Sequence, residues 1–442
     1  MFKELVNKFS GISAKISLGA IILIVILGVY NLPGSTIIFR NRKLDTDKYT
    51  NQKQQKLAQT ADKNTINKLV SANNKFGFQL FSEIQKSQPD ENIFISPISI
   101  AIALSMTYNA AAGKTQEAMA KTLNLQGMSL EEINQANQNL GILLNSLNPE
   151  IKLNIANSIW TRKGMSFYPS FIQVNQDFYQ SQVREIDFND PESPKIINNW
   201  VKDKTEGKID KIIQKIDPDL VMLLLNAIYF KADWEEPFSE DSTKEMPFYL
   251  ADGTQKQHPI MFQKLSIYSY YENQNFRAVS LPYKKSRVSM YIFLPREKVG
   301  LEGFYQVLNQ KNWENWMEQF LFNQGFSKIN LGLPKFKIEY EVSLNDVLKS
   351  LGMEIAFNYR AADFSKMRPI PPKLYIDEVK HKTFVEVNET GTEAAAVTSV
   401  GAGFRGPPSE MEMLVNRPFF FAIRDNESGT ILFMGEITNP EN

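Results

Sequence analysis

Apolar and polar positions divide the chain into three stretches of different character. Residues 16–32, from Ile16 to Leu32, are almost all apolar, with Lys3, Lys8 and Lys15 ahead of them. Such a run reaches the short end of a membrane-spanning helix, and no Ala-x-Ala site follows it. The pattern predicts an uncleaved anchor, with a removed signal peptide as the alternative. From Arg40 to about Asn64 the chain is rich in Lys, Gln, Asn, Asp and Thr, the composition of a solvated tether. From Thr65 onward apolar positions recur without a low-complexity break, a repeat or an internal linker. The expected organisation is an anchor or signal segment over 1–32, a polar linker over 33–64 and one body over 65–442.

Within the body the periodicities name individual elements. Leu69, Phe76, Phe78, Leu80 and Phe81 predict an amphipathic first helix. Ile93, Phe94 and Ile95 form a short apolar strand. Ser96 then stands as N-cap with Pro97 at the first helical position, and residues 100–106 continue a buried helix. Residues 221–230 predict a strongly apolar strand interrupted by Asn226. An unpaired buried amide costs about 1–3 kcal/mol, so Asn226 needs a partner. Residues 287–294 and 329–338 read as strands, 344–353 as a helix ended by Gly352, and 419–425 with 431–435 as a buried hairpin.

One stretch departs from these patterns. After the alternating Phe384, Val385, Glu386 and Val387, large side chains vanish: from Thr392 to Gly403 nothing is bulkier than valine except Glu393. Such a segment cannot anchor itself by burial and is expected on the surface. With period two, one face carries Thr392, Ala394, Ala396, Thr398, Val400 and Ala402, all small or uncharged; the other carries Glu393, Ala395, Val397, Ser399, Gly401 and Gly403. This is a strand that could slide into a tight sheet. Phe404, Arg405 and Gly406 follow, and an exposed Arg405-Gly406 bond invites a trypsin-like protease. The residues alone leave open a helix for the alanine-rich run, or a loop with no specific role.

Composition narrows the chemistry. With 49 basic and 49 acidic side chains there is no electrostatic case for nucleic acid. The chain has no cysteine and only two histidines, His258 and His381, which excludes thiolate chemistry and a histidine-rich zinc site. Ala112, Gly113, Lys114 and Thr115 suggest a phosphate loop, but Tyr108 stands where its other glycine would be. No nucleophile-elbow or zinc-protease motif is present, so no enzyme, metal or cofactor is expected. A hydrolase using His258 or His381 is the enzymatic alternative.

Gly391, Thr392, Glu393, Ala394, Ala395, Ala396, Val397 and Thr398 resemble the hinge signature of the serpins, the serine protease inhibitor family. Leu225 to Trp234, Leu333-Pro334-Lys335, Ile376 to Lys382 and Asn416-Arg417-Pro418-Phe419 resemble further family motifs, over about residues 69–440. Ala232 departs from the glycine usual in the first of these. The resemblance implies a mixed α+β serpin fold with about nine helices, three β-sheets and an exposed reactive-centre loop. Counting fourteen positions from Gly391 puts the scissile bond at Arg405-Gly406; a slip to Phe404-Arg405 would favour a chymotrypsin-like enzyme. The resemblance also implies a sheet-opening cluster of Ser96, Ser99, Asn226 and His381, and an ion pair of Lys335 with Glu389 near Trp234 at the sheet top. The implied partner is a trypsin-like serine protease held as a covalent acyl complex by a monomeric inhibitor. A non-inhibitory serpin with a binding or chaperone role is the alternative. The expected location is extracytoplasmic, anchored through Ile16 to Leu32, or secreted if that segment is removed.

Overall fold

The computed structural model describes residues 63–147, 150–285, 287–322, 327–371, 373–392 and 411–441. Among them are nine α-helices: α1 (Lys63–Ser87), α2 (Pro97–Tyr108), α3 (Gly113–Thr122), α4 (Leu130–Asn145), α5 (Pro169–Tyr179), α6 (Ser193–Lys204), α7 (Gly300–Tyr305), α8 (Gln310–Phe322) and α9 (Asn345–Leu348). The strands are β1 (Ile93–Ile95), β2 (Lys152–Arg162), β3 (Gln182–Ile186), β4 (Met222–Asp233), β5 (Lys244–Tyr249), β6 (Gln255–Glu272), β7 (Phe276–Pro282) and β8 (Val288–Pro295). They continue as β9 (Ser327–Pro334), β10 (Phe336–Ser343), β11 (Glu378–Val387), β12 (Gly391–Thr392), β13 (Met411–Leu414), β14 (Phe419–Asp425) and β15 (Ile431–Ile437).

A six-stranded sheet runs β10-β11-β12-β4-β2-β3. The other strands form one hydrogen-bonded path, β1-β15-β14-β8-β7-β6-β9-β13, with β5 beside β6. The long β6 divides that path into two sheets, since its last residues pair with β7 and its earlier ones with β5 and β9. The mixed architecture and its three sheets follow the expectation.

Strand β4 explains its own composition. Leu224, Ile228 and Phe230 pack into the main core, while Leu223, Leu225 and Ala227 pack under α6 with Trp160 and Trp200. A strand covered on both faces reads as a continuous apolar run. Asn226 falls on the main-core face between Leu224 and Ile228, where only a hydrogen bond can offset its desolvation.

Two boundaries differ from the sequence reading. The first helix begins at Lys63, so Lys63 and Asn64 belong to it rather than to the polar linker. The run 329–338 is two strands, because β9 ends at Pro334 and the chain crosses from one sheet to another. At the break Lys335 donates its backbone N–H to Pro259 O (3.0 Å).

Candidate functional site

The parallel strands β4 and β11 stay paired from Leu223 with Glu378 as far as Tyr229 with Phe384. Beyond that point they part, and β12 lies between them: Thr392 pairs with Ala232 on one side and Val387 on the other. The fork thus already holds two residues of the hinge. A backbone carbonyl makes glycine necessary at its mouth, because a Cβ on Gly391 would lie 2.3 Å from Ala232 O.

The tight return from β11 to β12 is fastened on its outer side. Asn388 Oδ1 accepts from Thr390 N–H (3.1 Å), the Thr390 hydroxyl (2.8 Å) and Gly391 N–H (3.3 Å). Trp234 Nε1 donates to Asn388 O (3.0 Å), and Trp234 N–H donates to Thr390 O (2.9 Å). Glu389, itself buried, receives Lys335 Nζ at 3.0 Å and the Thr243 hydroxyl at 2.7 Å. Burial works to raise the Glu389 pKa, but those two hydrogen bonds and the lysine charge outweigh it, and the carboxyl titrates below its ordinary range. The expected trio of Trp234, Lys335 and Glu389 is therefore gathered around one turn. Inside the fork Thr392 is fully buried, its Oγ1 2.7 Å from the Tyr283 hydroxyl.

Lower in the sheet lies the second predicted cluster. His381 and Asn226 are register partners on β11 and β4, and His381 Nδ1–H donates to Asn226 Oδ1. Asn226 Nδ2 donates to the Ser99 hydroxyl and to Asn157 Oδ1 on β2. His381 Nε2 accepts the N–H of Ser96 (3.1 Å), whose hydroxyl donates to Leu432 O (2.7 Å) and caps α2. Burial pushes the His381 pKa down to about 3, so the ring is neutral and one nitrogen donates while the other accepts. A strand entering between β4 and β11 at this level must break the His381–Asn226 bond.

Sequence reasoning missed Thr243, Asn157 and Tyr283. Each owes its place to a partner more than forty positions away, and none carries a local motif. Glu393, Ala394, Ala395, Ala396, Val397, Thr398, Arg405 and Gly406 lie outside the described residues, as do Ile16 to Leu32 and the linker up to residue 62. His258 is buried against Phe248, its Nε2 2.5 Å from Lys335 O. Among the described residues no group of His, Asp and Glu could hold a metal ion.

Comparison with known proteins gives the fork its context. Residues 71–440 match the family model "Serpin (serine protease inhibitor)". Human leukocyte elastase inhibitor is 35% identical over 384 residues, covering 85% of this chain and 100% of that protein. A serpin-like protein of Thermococcus kodakarensis is 36% identical over 382 residues, 84% of this chain and 86% of its own length. Among solved structures, the thermophilic serpin tengpin in its native state superposes with a TM-score of 0.76 at 35% identity, covering 86% of this chain and 94% of the other. The expectation of an anchored extracytoplasmic body is corrected on these findings. Among the described residues no helix is long and apolar enough to cross a membrane. The family match starts at residue 71, well past Ile16 to Leu32, and the human relative is matched over its entire length by 85% of this chain. The expectation that no enzyme is present rested on missing motifs; the family match, to a class of protease inhibitors, is the finding that bears on catalysis.

Proposed function

The chain belongs to the serpin family, and from that premise we propose that it inactivates trypsin-like serine proteases through attack at Arg405-Gly406. The observation that carries this reading is the fork between β4 and β11, with Gly391 and Thr392 seated in it and a run of small residues following in sequence. The guanidinium of Arg405 would pair with an acid in the protease's primary pocket. The protease serine attacks the Arg405 carbonyl carbon; the bond to Gly406 N breaks, the proton passes to that leaving amine, and an acyl ester remains. Insertion of the residues after Thr392 as a new central strand then competes with hydrolysis of the ester. Loop insertion of this kind releases strain held in the uncut molecule. Residues 65–442 act as the inhibitory unit in this reading.

A second cleavage position has specific support. The human relative is named for elastase, not for a trypsin-like enzyme, and Phe404 stands one residue ahead of Arg405. Parallel incubations with trypsin and with chymotrypsin, a denaturing gel and mass spectrometry of the released peptide test the proposal. The expected result is a covalent adduct with the cut after Arg405. Clean cleavage without adduct means a substrate-like serpin, and a cut after Phe404 moves the bond and the target class.

A further inference from the structure

Tyr283 follows the end of β7 and bridges to Trp234, whose two donors fasten the turn from outside. Its ring is completely buried, stacked on Trp234 at 4.6 Å and 9°, with the edge of Phe230 at 5.3 Å. Among the described residues its hydroxyl has one polar contact, Thr392 Oγ1 at 2.7 Å. Burial holds the phenol far above its ordinary pKa, so it is neutral and can donate or accept. Thr392 is as deeply buried, and its backbone occupies a register position between Ala232 and Val387. Two buried hydroxyls satisfy each other there. Whenever Thr392 leaves the fork, the Tyr283 hydroxyl loses its partner in an apolar wall.

We infer that Tyr283 is a positioning residue for loop insertion: its hydroxyl seats Thr392 in the sheet before cleavage, so that the new strand starts in register. This rests on the inhibitory reading above. The pair also supplies a reason for a hydroxyl at position 392 where apolar contacts alone would favour valine. If Tyr283 loses its hydroxyl, the seat before cleavage loses its hydrogen bond, fewer molecules are cut with Thr392 already in register, and insertion slows relative to hydrolysis. If Thr392 loses its hydroxyl, the same bond is lost from the other side. Removing both leaves two apolar groups in contact, a change that is close to neutral.

The test is a double-substitution cycle on the full chain, with Tyr283→Phe, Thr392→Val and the pair. The first readout is the number of inhibitor molecules consumed per trypsin inactivated. Each single change should shift the partition toward hydrolysis by about tenfold, and the pair should return to within about twofold of the parent. The rate of trypsin attack on Arg405 should stay unchanged. Parental stoichiometry in both single variants, or losses that simply add in the pair, would overturn the assignment. The second readout needs no inhibition. Amide exchange of a peptide covering 388–392 should quicken in Tyr283→Phe while that of 378–384 does not. Unchanged exchange at 388–392 sinks the seat even if the parent inhibits. A parent that forms no adduct with either protease class sinks the inhibitory reading, and the exchange result then decides the seat by itself.

Discussion

Glu436 lies in β15 with one carboxylate oxygen accepting from the Tyr305 hydroxyl and the other without a partner. Burial pushes its pKa up to about 7; the bond from Tyr305 opposes that shift and the charge of Asp90 adds to it. An unfolded glutamate ionises near 4.5, so between that pH and about 7 the unfolded chain gives up a proton that the folded protein keeps. The contribution of Glu436 to stability is therefore fully present below pH 4.5 and is lost as the pH rises through 7. Glu436→Gln should raise the melting temperature relative to the parent more at pH 8 than at pH 5; an equal offset at both would contradict the assignment. His381 acts in the opposite sense. Its folded pKa of about 3 lies below the unfolded value of 6.5, so its contribution is complete above 6.5 and falls away in acid. Arg405→Ala should abolish adduct formation with trypsin and leave the melting temperature within ~1 °C, because the sequence pattern expects this segment on the surface, where substitutions are near neutral. The cluster of Ser96, Ser99, Asn226 and His381 was legible through family resemblance, and the need of Asn226 for a partner through its apolar neighbours. Asn157 was not, because its amide meets Asn226 only across the β2–β4 ladder.

At the scale of the element, β12 and the strand that would extend it set the sharpest expectations. Thr392 points into the buried layer, so Thr392→Arg would carry an unpaired charge there, at a penalty of several kcal/mol after relaxation. Each 1.4 kcal/mol on the insertion barrier slows it about tenfold. The variant should be cut as a substrate, with the protease recovered active. Glu393→Arg changes the alternate position of the strand pattern and should do far less harm. Inhibitor consumed per protease inactivated measures both, and the reverse ranking would refute the insertion register. Gly391→Ala should also impair inhibition, since its Cβ collides with backbone at Ala232 rather than with a flexible side chain. Most elements were readable from periodicity and caps: α2 starts at Pro97 behind Ser96, as its sequence indicates. The run 329–338 was read as continuous, although its apolar phase slips from Ile329, Leu331 and Leu333 to Phe336 and Ile338 across Pro334 and Lys335, where the pairing partner changes from β6 to β11.

For the whole molecule, β4 and β11 are the seam. They are joined below Tyr229 and Phe384 and parted above, with the His381–Asn226 bond below the fork. If the residues after Thr392 enter this seam once cut, cleavage at Arg405-Gly406 should raise the melting temperature rather than lower it. A cut protein that melts at or below the intact one would show that no strand is added. Asn226→Ala should lower the stability of the uncut form by about 1–3 kcal/mol, since it leaves the His381 Nδ1–H buried and unpaired. Thermal denaturation of the uncut variant checks this, and an unchanged melting temperature would remove Asn226 from the cluster's energetics.

What the sequence determined by itself is whatever depends on spacing along the chain. That includes the capped start of α2, the amphipathic α1 and the closing hairpin of β14 and β15. These are properties of neighbours, set by backbone geometry and by which face of an element must leave water. Tertiary structure alone decided that Thr392 meets Tyr283, that Thr243 shares Glu389 with Lys335, and that Asn157 joins His381 through Asn226. Those pairs form because desolvated polar groups must find partners once the sheet closes. Which partner is in reach depends on strand order, and strand order is not written in any local run of residues.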